Sequence, residues 1–289
     1  MYSDLMGHQH GSQGPTTLSD GSVVQMPLLT YRARTFAAFF TISAAKARAI
    51  LPTDTLQPVR VSPRRALVTV QVMEYLEKNI EPYKEFVFSI PVHRSRRAGI
   101  PGVSVARWQR RPGDGSYITH IAVDDDQGRL IGREILGFPK FIAQVDFTET
   151  PKERIAEVVA DGEAVFTLAV TRPNKPHKPQ RREFYCYSLS PIDNTVFHVP
   201  YQSEASGAMR WGSRSARLHL GCHPVADELR DLDISPAPLF ALDVPQYTLV
   251  SNRPDAKTGV GAWRDPRGFY RALRDEKPAA QPIPSPTGV

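Results

Sequence analysis

The chain has 289 residues with a formal net charge of +6, and its 26 prolines and 19 glycines predict many short elements joined by stiff turns. This length suits one large domain or two small ones and supplies enough apolar residues for a sizeable core. No apolar run is long enough to span a membrane or to serve as a signal peptide, and the two cysteines, Cys186 and Cys222, form no disulfide framework.

Residues 1–26 are rich in Gly, Ser, Thr, Gln and His without periodicity, and read as a mobile leader. His8 and His10 form a His-x-His pair there, with no further ligand nearby to complete a metal site. Residues 34–42 form an apolar strand. Ser43 caps a short helix over 44–51, which Pro52 stops. Residues 66–76 alternate as a strand with Leu67, Thr69, Gln71, Met73 and Tyr75 on one face. Residues 83–92 alternate again, placing Tyr83, Glu85, Val87 and Ser89 together.

A strand over 118–123 ends in the acidic turn 124–128. Short strands follow at 142–147 and 154–159, and Asp161-Gly162 marks a hairpin into 164–171. Strands at 182–189, 217–220 and 239–250 complete the series, with a helix over 225–232 opened by Pro224. From residue 256 to 289 the chain is again polar and Pro-rich. The reading is an α+β fold, mainly antiparallel β with few short helices, over residues 27–255. Strands and helices do not alternate, which excludes a doubly wound sheet.

Basic residues cluster at Arg94, Arg96 and Arg97, at Arg110 and Arg111, and over 175–182, without a basic tail or interleaved aromatics. Such runs are usually solvated loops, so no nucleic-acid partner is expected, and a basic surface suits a small anionic substrate. His219, Cys222 and His223 lie close together, but Gly221 interrupts them and no second ligand cluster is near; no metal is expected.

The informative stretch is 128–143. Lys140 stands there among Ile135, Leu136, Phe138, Pro139, Phe141 and Ile142. An amine must be neutral to attack a carbonyl, and a free lysine, with a pKa near 10.4, is almost wholly protonated at pH 7. An apolar pocket disfavours the ammonium and can lower such a pKa by about 3 to 5. Local composition alone equally describes a lysine whose stem lies on apolar surface while its amine reaches water.

The sequence Gly132-Arg133-Glu134, three residues, then Phe138-Pro139-Lys140 resembles the signature around the catalytic lysine of the acetoacetate decarboxylase family. The likeness continues upstream through residues 115–124, and through Tyr83-Lys84-Glu85 followed by Ile90-Pro91-Val92. It continues downstream through 220–232, covering about residues 30 to 252 in all. It implies a β-barrel or cone in which Lys140 is the imine-forming nucleophile and Glu85 the active-site glutamate. Arg32 or Arg34 would hold a substrate carboxylate, with Arg133 a third candidate, and Phe138 would line the pocket.

Two residues depart from the family pattern. Gln71 stands where glutamate is usual, and Phe141 where the prototype has a second lysine. The resemblance implies a Schiff-base lyase acting on a small keto acid, most simply by decarboxylating an acetoacetate-like β-keto acid. Two alternatives are an aldolase-dehydratase condensation of pyruvate or another keto acid, and a non-catalytic small-molecule binding protein of the same fold. No cofactor is implied, since the protonated imine is the electron sink. The enzyme is expected to be a cytoplasmic homo-oligomer with neither nucleic-acid nor membrane partners.

Overall fold

Alternating apolar positions give strands long enough to curl into a closed ring. In this computed structural model, which describes residues 5, 13–108, 110–173, 178–192 and 195–260, the chain runs as follows. It starts with β1 (Pro15–Thr17), β2 (Val23–Gln25), β3 (Leu28–Ser43), α1 (Ala44–Ile50), β4 (Leu56–Pro58), β5 (Arg65–Lys78) and β6 (Lys84–Arg94). Next come α2 (Val103–Arg107), β7 (Gly115–Val123), α3 (Asp126–Glu134), β8 (Lys140–Ile142), β9 (Gln144–Glu149), β10 (Glu153–Ala160) and β11 (Glu163–Thr171). It ends with β12 (Gln180–Leu189), β13 (Thr195–Trp211), β14 (Ala216–Leu220), α4 (Pro224–Asp231), β15 (Phe240–Ser251) and β16 (Ala256–Gly259).

Hydrogen bonding runs β6-β5-β3-β15-β13-β12-β7, and β7 pairs back onto β6, so these seven strands close a barrel. Every pairing within it is antiparallel except β7 with β12. Register shifts in the β3–β5, β13–β15 and β6–β7 pairs supply local bends of the kind that curl a sheet. A second sheet, β14-β11-β10-β9, packs outside.

Alternation sorts the side chains into two cores. Inward residues from all seven barrel strands, among them Ala33, Tyr75, Val87, Ile121, Cys186, Tyr201 and Leu249, form one cluster, into which α3 inserts Leu130 and Ile131. Outward residues such as Phe40, Val70, Phe86 and Phe88 pack against the second sheet and the short helices. The Asp125 side chain caps α3 by accepting from the Gly128 amide, and Ser43 caps α1 in the predicted manner.

The limits of the domain need correction at both ends. Residues 13–26 are no leader: β1 and β2 pair as a hairpin, and Leu18, Val24 and Met26 are buried in the inner core. Each strand has only three residues, too few for a periodic signal. The Ser19 amide and hydroxyl donate to Glu134, tying this hairpin to the end of α3. Beyond residue 255, β16 pairs with β13, so ordered structure continues into the supposed tail. His8, His10 and residues 261–289 lie outside the described residues. Among the described residues, no helix is long and apolar enough to cross a membrane.

Candidate active site

Lys140 is placed by a tight connection between α3 and β8. Gly137 has φ +68°, a conformation that disfavours side chains, and a Cβ there would come 2.5 Å from the Phe197 ring. The Phe138 amide donates to the Gly132 carbonyl at 2.8 Å, and Pro139 stiffens the step into β8. Lys140 then aligns with Ile121 of β7 and points into the barrel. Its stem lies directly over Gly132, where a Cβ would come within 2.5 Å of Cε. A glycine at this helix position makes room for the lysine.

The Lys140 residue is 2 % exposed and Glu85 4 %, so water is almost excluded from both. Nζ donates to Glu85 Oε2 at 2.7 Å, and the Tyr75 hydroxyl donates to Oε1 at 3.2 Å. Glu85 sits on β6 between Met73 of β5 and Val123 of β7. The Tyr75 and Tyr83 rings pack with centroids 4.6 Å apart, and the Tyr83 ring lies 5.0 Å from Lys140 Nζ. A single proton passed from Nζ to the carboxylate makes a neutral amine beside a carboxylic acid, the pair that imine formation requires.

A second lysine shares this space. Lys78 Nζ lies 3.9 Å from the Tyr75 centroid and 4.1 Å from that of Tyr83, and donates to the Tyr83 hydroxyl at 3.0 Å. Although the residue keeps some surface exposure, its ammonium is enclosed by these rings. Burial, reinforced by the positive charge of Lys140, lowers its pKa to about 7 against the opposing pull of Glu85 and Asp125. Burial first, with the Glu85 carboxylate adding to it, raises the Tyr75, Tyr83, Tyr201 and Tyr247 hydroxyls and the Cys186 thiol. These groups are therefore neutral around one carboxylate, with Tyr75 donating to it.

Of the residues expected from sequence, Lys140 and Glu85 meet, and Phe138 lies in the same inner core. Gln71 is on the Tyr75 face of β5, but its amide donates to Thr35 Oγ1 at 3.0 Å. Arg133 is buried on α3, next to Gly132.

Arg32, Arg34 and Phe141 do not join them. The Arg32 side chain is 66 % exposed and faces Glu77 at 3.8 Å. Arg34 reaches Glu74 and, at 2.7 Å, Glu149 of the outer sheet. Phe141 follows Lys140 on a strand and so points the opposite way, into the outer core beside Phe86 and stacked on His223. Arg32→Ala is accordingly expected to leave keto-acid affinity nearly unchanged, because the side chain is exposed and faces Glu77. A titration of ligand binding checks this.

Sequence reasoning missed Lys78 for a physical reason. Period two from Tyr75 puts Glu77 inward and Lys78 outward. The β3–β5 register jumps from Ala33↔Tyr75 to Arg32↔Glu77, skipping Leu76, and this reverses the alternation. The inward tyrosines of β13 and β15 carried no motif at all. His223 accepts from the Val225 amide as the cap of α4, and the described residues hold no group of side chains suited to a metal.

A family model for acetoacetate decarboxylase matches residues 13–241. No curated protein sequence matches the chain. Among solved structures, the acetoacetate decarboxylase of Legionella pneumophila is similar at 15% identity and TM-score 0.56, covering 80% of this chain and 88% of its own. An acetoacetate decarboxylase-like enzyme from Sphingomonas wittichii RW1 is similar at 15% identity and TM-score 0.53, covering 85% and 99%. The enduracididine biosynthesis enzyme MppR, complexed with the condensation product of pyruvate and imidazole 4-carboxaldehyde, is similar at 12% identity and TM-score 0.54, covering 86% and 98%. These identities speak for a shared fold. With the family model spanning most of its length, the chain belongs to the acetoacetate decarboxylase family.

Proposed function

We propose that the protein is a Schiff-base lyase that condenses Lys140 with the carbonyl of a small keto acid. The observation that carries this reading is the enclosed Lys140 amine, 2.7 Å from the buried carboxylate of Glu85. Glu85 takes a proton from Nζ as the amine adds to the ketone carbon. It then returns a proton to the carbinolamine oxygen, which leaves as water. In a β-keto acid, the bond to the carboxylate carbon breaks, CO2 departs, and the electron pair moves into the iminium to give an enamine. Protonation at carbon and hydrolysis release the ketone and restore Lys140. The iminium accepts the electrons throughout.

A second reading uses the same iminium and keeps the carboxylate. Loss of a proton beside the iminium gives the enamine, which condenses with an aldehyde and loses water. The Lys78 ammonium in the pocket favours it, and MppR, of similar fold, is complexed with a condensation product of pyruvate. Two unpaired cysteines suit a cytoplasmic enzyme, which we expect to act as a homo-oligomer.

Incubating the enzyme with acetoacetate or pyruvate, reducing with borohydride and digesting should place the added mass on the peptide containing Lys140. CO2 release then separates the two reactions. A protein that binds keto acids yet traps none of them is the non-catalytic member of the fold, and the proposal would be wrong.

A further inference from the structure

We propose that Lys78 binds the carboxylate of the substrate and makes this a site that keeps the carboxylate through the reaction. The inference rests on the keto-acid reading above and assigns the acid group a partner. Arg32 and Arg34, the residues that sequence offered for this task, are engaged by Glu77 and by Glu74 and Glu149. Lys78 differs from both. Among the described residues no carboxylate pairs with it, and the neutral Tyr83 hydroxyl at 3.0 Å is its hydrogen-bond partner.

Its ammonium lies on the Tyr83 ring at 4.1 Å from the centroid, and Lys140 Nζ lies 5.0 Å from the same centroid. The two amines therefore share one ring. A keto acid bound there has its carbonyl carbon at Lys140 and its carboxylate at Lys78. The aromatic faces hold the cation in place without neutralising it. Burial and the Lys140 charge outweigh the more distant pull of Glu85 and Asp125 on this ammonium, so an incoming anion adds the direct contact that these carboxylates do not make.

The consequence for the reaction follows from charge. Decarboxylation turns a carboxylate into neutral CO2, so a cation bound to it stabilises the ground state more than the transition state. Removing a proton from the carbon beside the iminium leaves the carboxylate charge intact. The enamine carbon then bonds to the carbonyl carbon of an aldehyde, whose oxygen is protonated. The same enamine-derived carbon gives up a second proton, its electrons form a carbon–carbon double bond, and the oxygen, protonated again, leaves as water. Hydrolysis of the iminium frees Lys140. The chemistry assigned to Lys78 is thus that of a 2-keto acid condensing with an aldehyde.

The test uses the full chain with Lys78→Met and Lys78→Arg. Two quantities are read: the dissociation constant of lactate, which has a carboxylate but no ketone, and the half-saturating concentrations of pyruvate and acetone in borohydride trapping. Lys78→Met should weaken lactate at least tenfold and raise the pyruvate-to-acetone ratio at least tenfold, whatever it does to both ketones in common. Lys78→Arg should restore both to within a few-fold. Should the methionine variant misfold, Lys78→Gln is read in the same way. An unchanged ratio, or lactate that binds wild type and variant alike or neither, overturns the inference. If lactate binding depends on Lys78 while no ketone is ever trapped, the imine reading and the condensation built on it fail, and the carboxylate contact at Lys78 alone stands.

Discussion

Lys140→Met is expected to abolish borohydride trapping and to reduce turnover to background while the barrel still folds. Methionine keeps most of the stem that crosses Gly132, so the variant tests the amine and not the packing. The effect on stability is separate. Removing the ammonium leaves Glu85, which is 4 % exposed, with Tyr75 as its remaining hydrogen-bond partner. Breaking one side of a buried pair costs about 3–5 kcal/mol when the other charge is left uncompensated. The pair itself adds little net stability over apolar residues of similar shape. Lys140→Met with Glu85→Gln should therefore recover much of the lost stability in urea melts and none of the trapping. Trapping that survives in Lys140→Met would move the nucleophile to Lys78 and end the assignment.

Gly132→Ala should lose at least about a hundredfold in turnover, a loss typical of a misplacement of roughly 1 Å. Intrinsic preference works the other way, because alanine inside a helix is favoured over glycine by about 1 kcal/mol. The helix should form as well or better. The loss comes instead from the Lys140 stem, since the new methyl lies where Cδ and Cε now run. The lysine is enclosed on all sides, so it can yield only by moving Nζ away from Glu85. Trapping rates and a circular dichroism spectrum, measured on the same preparation, separate this local effect from unfolding. Full activity in Gly132→Ala would mean that Lys140 reaches its partner by another path.

Much of this site was legible because its key residues sit where simple rules apply. Glu85 was assigned to the face of Tyr83 and Val87 by alternation, and the Gly-Arg-Glu and Phe-Pro-Lys groups marked the lysine. Alternation also places Phe141 away from Lys140. Weight given to its neighbour in the chain, and not to the pleat, produced the wrong expectation. Lys78 was hidden by one skipped residue, since a local bulge has no signature in a strand of ordinary composition. β13 escaped notice because Pro200 and the Ser203 to Gly207 stretch look like a loop, yet Pro200 pairs with β12 and Ser203 to Ser206 pair with β15, Gly207 falling at a register shift. Tertiary pairing outweighed local preference there. The β1–β2 hairpin has too little sequence to show a pattern and is held by partners such as Glu134.

The closed ring also bears on how the enzyme is made. β3 is sealed on one side by β15, whose residues follow it by roughly 200 positions, with Ala38 opposite Ala241. On a ribosome the early strands must wait, with their apolar faces unshielded, until nearly the whole chain has emerged. Lys140 and Glu85 come from the first half of the polypeptide, but the wall that keeps water from them arrives last. Fragments ending before β15 should therefore hold both groups in the wet and be inert, and slow synthesis or a missing chaperone should lower the yield of soluble enzyme before it harms the finished molecule.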